Sequence, residues 1–106
     1  MSSEQQFLYL TTIGWKSCKQ HKIEIWFICY NKRYYIISER LYLAHWVQNI
    51  LHEPKVLFAI GIDKFEGLAR IVNSEECALV NTVSNMMNSK YGWSDGLIVE
   101  LIPNNI

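Results

Sequence analysis

The sequence predicts a mainly β, α+β fold: a small closed or half-closed barrel of about six strands with two helices, ordered β-β-β-α-β-β-α-β. Three observations carry this reading. Short apolar and aromatic runs are separated by tight turn signals, as in hairpins. Two windows switch from the strand period of two to the helical period of 3.6. The chain has 106 residues, enough for one hydrophobic core, so residues 1–106 are read as a single domain.

Phe7-Leu-Tyr-Leu-Thr-Thr12 reads as the first strand, ended by Gly14, and a polar, basic loop follows to Lys22. From Ile23 to Tyr30 the chain is almost continuously apolar, the pattern of a strand covered on both faces. Asn31-Lys32-Arg33 is a short turn, and Tyr34–Ser38 returns as a hairpin partner. Leu43, Trp46, Val47, Ile50 and Leu51 then form one helical stripe, which Pro54 stops. Val56–Ile60 and Phe65–Val72 make a second hairpin around Gly61-Ile-Asp63. Ser74 is the expected N-cap of a second helix, with Glu75 and Glu76 at its positive end. Leu79, Val80, Val83, Met86 and Met87 supply its apolar face, and Gly92 a left-handed stop. Leu97–Ile102 is the last strand, closed by Pro103. Closing these strands into a barrel removes exposed edges, and the helices plug an end or support a dimer.

Composition narrows the function. Ten basic and ten acidic residues leave no net charge, which removes the electrostatic footprint of a nucleic-acid or anionic-membrane binder. An oligonucleotide-binding barrel stacking bases on Tyr30, Tyr34 and Tyr35 is disfavoured for the same reason. Half the residues are hydrophobic and 13% aromatic, a load that a short chain covers most easily as a homodimer. The start, Met1–Gln6, is polar, and no apolar stretch approaches the roughly 18 residues of a membrane span. Cys18, Cys29 and Cys77 are odd in number and widely spaced, neither a disulfide framework nor a zinc site. The expected location is the cytoplasm.

Few side chains carry chemistry. His21, His45 and His52 match no metal-ligand spacing and read as surface or hydrogen-bonded histidines. Cys18 and His21 lack an orienting group for nucleophilic catalysis, while Cys29 and Cys77 read as core packing. The basic loop is more informative. Thr11, Thr12, Lys16, Ser17, Lys19 and Lys22 gather hydroxyls and ammonium groups beside Gly14, the chemistry that holds a phosphate. An ordinary solvated loop has the same composition. Trp26 and Phe27 point to opposite faces, so one can line a pocket while the other fills the core.

Leu10-Thr-Thr-Ile-Gly-Trp-Lys-Ser-Cys-Lys19 resembles the Leu-Thr-Thr-x-Gly-Arg-Lys-Ser-Gly-Lys opening of the deazaflavin-dependent nitroreductase family. That family belongs to the flavin-binding split-barrel superfamily, which includes pyridoxamine phosphate oxidase. Trp26-Phe27, Tyr35-Ile-Ile-Ser38, His45-Trp-Val-Gln-Asn-Ile50, Pro54-x-Val56, Gly67-Leu-Ala-Arg-Ile-Val72 and Ser74-Glu-Glu76 follow in the family's order. The resemblance spans nearly the whole chain.

The resemblance implies a split-barrel homodimer with its cofactor in a groove at the subunit interface. It implies that Lys16 and Ser17 contact the cofactor phosphate and that Ser38 lies at a second phosphate contact. Trp26 and Phe27 fall where a strand runs along the ring. Trp46 and Asn49 match the helix signature and read first as packing and capping. The cofactor is FMN or, alternatively, the deazaflavin coenzyme F420, and it performs the hydride transfer, so no catalytic acid or base is required.

The departures are Trp15 for arginine, Cys18 for the second glycine, His21 for a phosphate-holding arginine, Glu24 for proline and Glu39 for a frequent lysine. Each lost charge-assisted contact costs about 1–3 kcal/mol. Lys22 and Arg40 stand beside the new acids as compensating cations, and Arg40 joins the expected cofactor contacts. The sequence thus reads as a flavin-type oxidoreductase reducing a small acceptor, a nitro compound or quinone. The alternative is a split-barrel protein with weak or lost cofactor binding, acting as a binding or dimeric interaction module.

Overall fold

A computed structural model describes residues 6–104; the polar stretch at 1–5 lies outside them. The elements are β1 (Leu8–Ile13), β2 (Gln20–Ile25), β3 (Ile28–Tyr30), β4 (Arg33–Ser38), a 3₁₀ turn at Leu41–Leu43, α1 (His45–His52), β5 (Lys55–Ile60), β6 (Asp63–Ile71), α2 (Cys77–Tyr91) and β7 (Leu97–Pro103). The seven strands form one sheet in the order β2-β1-β5-β6-β7-β4-β3. Every pairing is antiparallel.

That order determines the shape. β2 and β3 lie at opposite edges of the sheet, yet only Trp26 and Phe27 separate them in the chain. Laid flat, seven strands would put those edges about 29 Å apart, at about 4.8 Å per strand. The link from Ile25 to Ile28 reaches at most about 11 Å, three Cα–Cα steps of about 3.8 Å. The sheet must therefore curl until its edges meet, which makes it a barrel. Sequence reasoning expected one strand from Ile23 to Tyr30. The structure breaks that run at Trp26–Phe27, because its first half pairs with β1 and its second with β4. Seven strands result rather than six.

The barrel interior is filled from alternate positions of the strands, chiefly Leu8, Leu10, Ile36, Val56, Phe58, Val99 and Leu101, with Ile50 from α1. A second cluster lies under α2, where Val83 and Met87 pack on Ile28, Tyr35, Ile37, Val72 and Ile98. Gly92 ends α2 with φ 74°, and its N–H donates to the Asn88 carbonyl, as a left-handed C-cap requires.

Several local expectations need correction. Leu43 (69% exposed) and Leu51 (56%) are not on the buried stripe of α1, which consists of Val47, Asn49 and Ile50. Ser74 does not cap α2. The Asn73 side chain instead accepts from the Glu75 N–H, and the Glu76 carboxylate turns back onto the Asn73 N–H and Arg70. Cys29 and Cys77 are exposed thiols rather than core residues.

Among the described residues one charge is buried. Glu100, 1% exposed, lies on the α2 side of β7. It accepts from the Tyr35 hydroxyl at 2.6 Å and Arg70 Nε at 3.0 Å, with Arg33 at 3.3 Å. Burial alone would raise its carboxyl, but the bonds from Tyr35, Arg70 and Arg33 outweigh it and hold the group below its ordinary value. Burial, with the bond to Glu100, pushes the Tyr35 phenol up. Glu100→Gln should cost about 2 kcal/mol in urea unfolding, below the usual cost of breaking a buried pair because both arginines are half exposed. A depressed folded pKa gives stability that is present above the unfolded value, about 4.3, and lost as pH falls through the lower folded one. Acidification below about pH 5 should therefore erode wild-type stability more steeply than that of Glu100→Gln.

Candidate functional site

The barrel closes incompletely. β3 pairs only with the first three residues of β4, from Arg33 to Tyr35, so Ile36–Ser38 lack a strand partner on that side. β2 pairs only with β1 and leaves its other edge free. Between the two edges lies a cleft of about 820 Å³. One wall is His21–Ile25 of β2 with Trp26 of the link, the other is Ile37–Arg40, and the cleft also takes in Trp46 and Asn49 of α1 and Trp93. Three indoles thus face one open slot, as suits a flat aromatic ligand.

The Trp26 indole is fixed from behind. It stacks on Tyr91 with ring centroids 4.4 Å apart and meets Trp93 edge-on at 6.1 Å. The adjoining peptide of Phe27 donates its N–H to the Tyr91 hydroxyl at 3.1 Å, and its carbonyl accepts from Lys90 Nζ at 3.0 Å.

A smaller cavity of about 300 Å³ adjoins the cleft and shares His21, His45 and Asn49 with it. It is walled by the loop from Gly14 to Ser17, which Gly14 tightens by donating its N–H to Lys19 and accepting the N–H of Cys18. A Cβ on Gly14 would meet Ser17 Oγ at 2.7 Å and His21 Nε2 at 2.8 Å. Two polar atoms therefore converge on the space that glycine leaves open. Asn49, 4% exposed, pins the loop to the barrel, since its Nδ2 donates to Thr12 Oγ1 at 2.9 Å and its Oδ1 accepts from the Trp15 N–H at 3.3 Å. None of the described side chains lining the small cavity is acidic, and Lys16, His21 and His45 are basic.

The expected contacts divide between these spaces. Trp26, Ser38 and Arg40 line the cleft, and Lys16 and Ser17 line the small cavity. Phe27 lies in the barrel core, 6% exposed, with its ring under Lys90. The buried Ser38 hydroxyl donates to the Leu41 carbonyl at 2.8 Å, which leaves it lone pairs rather than a proton to offer. Lys16 rests over the Trp15 ring at 4.8 Å, and His52 stacks on that ring at 4.4 Å. Both acidic departures are exposed on the cleft wall, and Glu24 accepts the Tyr9 hydroxyl at 2.9 Å.

Sequence reasoning placed His21 at a phosphate-holding position but missed that His45, read as a surface or hydrogen-bonded histidine, lines the same two spaces. No spacing could have revealed it, because strand pairing and helix docking create it. Asn49 as the loop's anchor was also missed, although its place in the helix signature was legible.

Cys18 adopts φ 60°, so the left-handed geometry of a glycine persists there without the glycine. Left-handed strain of about 1–2 kcal/mol exceeds glycine's larger unfolded-state entropy, up to about 1 kcal/mol. Cys18→Gly should therefore raise the unfolding free energy by about 0.5 kcal/mol in denaturant titration.

Solved structures with this fold are numerous. HutZ, the heme storage protein of Vibrio cholerae, superposes with a TM-score of 0.81 at 17% identity, over 97% of this chain and 84% of that one. A Listeria innocua protein described as a pyridoxamine 5'-phosphate oxidase gives 0.73 at 15% identity, over 94% and 85%. An F420-H2 dependent reductase, FDR-A, gives 0.68 at 17% identity, over 95% and 97%. At such identities these likenesses establish the split-barrel fold alone. No curated protein matches the sequence. The sequence model of the F420H(2)-dependent quinone reductases does match, over residues 2–96, and on that match the chain belongs to the F420H(2)-dependent quinone reductase family.

Proposed function

We propose that this protein is a deazaflavin-dependent oxidoreductase that binds coenzyme F420 and reduces a small acceptor, a quinone or nitro compound. The observation that carries the reading is the cleft at the split opening into a basic cavity with no carboxylate among its described lining residues. A planar ring fits among Trp26, Trp46 and Trp93, and a phosphate fits the cradle over Gly14 beside Lys16 and Ser17. Of the two cofactors the sequence leaves open, the family favours F420 over FMN.

When bound, the coenzyme supplies the hydride. The chain's own residues bind and orient. Lys16 leaves its Trp15 contact, at a cost of about 0.5–1 kcal/mol, for a stronger charge-assisted bond to phosphate. Asn49 holds the loop in place, and the Trp26–Tyr91 stack keeps one wall of the ring slot rigid. Arg40 opposes the repulsion that Glu39 exerts on an anionic ligand.

A homodimer belongs to this proposal. Leu57, Leu68 and the almost fully exposed Ile62 (95%) lie on β5, β6 and their turn, exposed apolar side chains that a second copy would cover. A reducing cytoplasm suits three exposed free thiols.

Titration of purified protein with F420 and with FMN, followed by absorbance, tests the cofactor. F420 should bind, and more tightly than FMN. Uptake of neither would overturn the oxidoreductase reading in favour of an interaction module. Lys16→Ala should weaken F420 binding by about tenfold with little change in thermal stability. Sedimentation equilibrium at micromolar concentration should return a dimer mass, and a monomer mass there would remove the dimer.

A further inference from the structure

We infer that His21 and His45 hold the ligand's anionic group together with Lys16, and that binding at this site is coupled to proton uptake. The inference rests on the reading that the cofactor's phosphate enters the small cavity. A ligand with its ring in the cleft and its phosphate in that cavity must pass the residues common to both, which are His21, His45 and Asn49. Asn49 already spends its oxygen on Trp15 and one amide hydrogen on Thr12. The two imidazoles are therefore the ionisable groups available at the passage. His21 Nε2 is already turned to the point over Gly14 on which Ser17 Oγ converges.

The surrounding charges strengthen the dependence on these imidazoles. From the loop, Lys16 is the other basic side chain of the cavity. On β2, Lys22 sits over the Tyr9 ring and Glu24 is bonded to the Tyr9 hydroxyl. From the end of β4, Glu39 and Arg40 face the cleft with opposite charges. From α1, His45 reaches the cavity while His52 stacks on Trp15. Carboxylates, lysine and arginine ordinarily keep their charge between about pH 5.5 and 8, and imidazole does not. The positive charge presented to a phosphate therefore falls as the medium becomes alkaline. A bound anion favours the protonated imidazole, so binding takes up protons and tightens as pH falls.

Isothermal calorimetry with coenzyme F420 tests this on wild type, His21→Gln, His45→Gln and the double variant, at about pH 5.5, 6.5 and 8. The coenzyme's own ionisation is common to all four proteins, so the readout is the ratio of wild-type to variant affinity at each pH. For the double variant that ratio should be about tenfold or more at the acid end and fall to about twofold or less at the alkaline end, with each single variant between. Repeating the acid titration in buffers of different ionisation enthalpy should show more protons taken up by wild type. A ratio that stays constant with pH would overturn the inference, because a merely structural role changes affinity without coupling it to protons. Variants that bind as tightly as wild type throughout would overturn it equally. Failure of wild type to bind F420 at any pH would overturn the functional reading and this inference with it. Tight binding with a flat ratio overturns this inference alone.

Discussion

The rest of the molecule depends on a crossover of two residues. Trp26 and Phe27 carry the chain from one edge of the sheet to the other, and their short reach forces seven strands to roll up. The end of α2 holds that link. Lys90 donates to the Phe27 carbonyl, the Tyr91 hydroxyl accepts the Phe27 N–H, and the Tyr91 ring stacks on Trp26. The Tyr91 hydroxyl has one proton to give. It lies 2.8 Å from the Gln6 carbonyl and 3.0 Å from that of Phe27, so it joins the start of β1 to the crossover as well. A residue late in the chain thus locks together two early ones.

The same crossover creates the site. Because β3 is short, β4 runs past it and leaves a gap opposite the free edge of β2. Backbone groups on those edges need polar or solvated surroundings, so the gap stays a cleft rather than becoming core. Trp26 then has two duties in one position. It stacks on Tyr91 at the crossover, and it lines the cleft. A ligand seated there would bear directly on the element that closes the fold, and would stabilise the barrel by mass action.

Charge is divided between two regions. The buried carboxylate of Glu100 and the arginines that satisfy it belong to the α2 side of the sheet. The carboxylate-free cavity lies at the other helix, beside α1 and the loop after β1. In an uncharged chain this segregation produces a local basic site without a net excess of cations. Both acidic replacements lie outside that cavity, exposed on the cleft wall, where Glu24 is engaged by the Tyr9 hydroxyl.

Local rules were enough for much of this. The apolar runs of β1 and β4, the stops at Pro54 and Gly92, the turn after Tyr30 and the basic composition of the loop that holds Lys16 and Ser17 are all properties of neighbouring residues. The sequence by itself therefore determined the barrel class, the basic loop and the order of the elements apart from the division of the second strand. It could not determine the break at Trp26–Phe27, since a run apolar on both sides looks the same whether it pairs with one strand or two. Nor could it bring His21 to His45, or carry Asn49 from α1 to Thr12 and Trp15, across 37 and 34 residues. Those juxtapositions follow from barrel closure, in which distant segments meet because a short link leaves them no other place. Only the tertiary structure decided them.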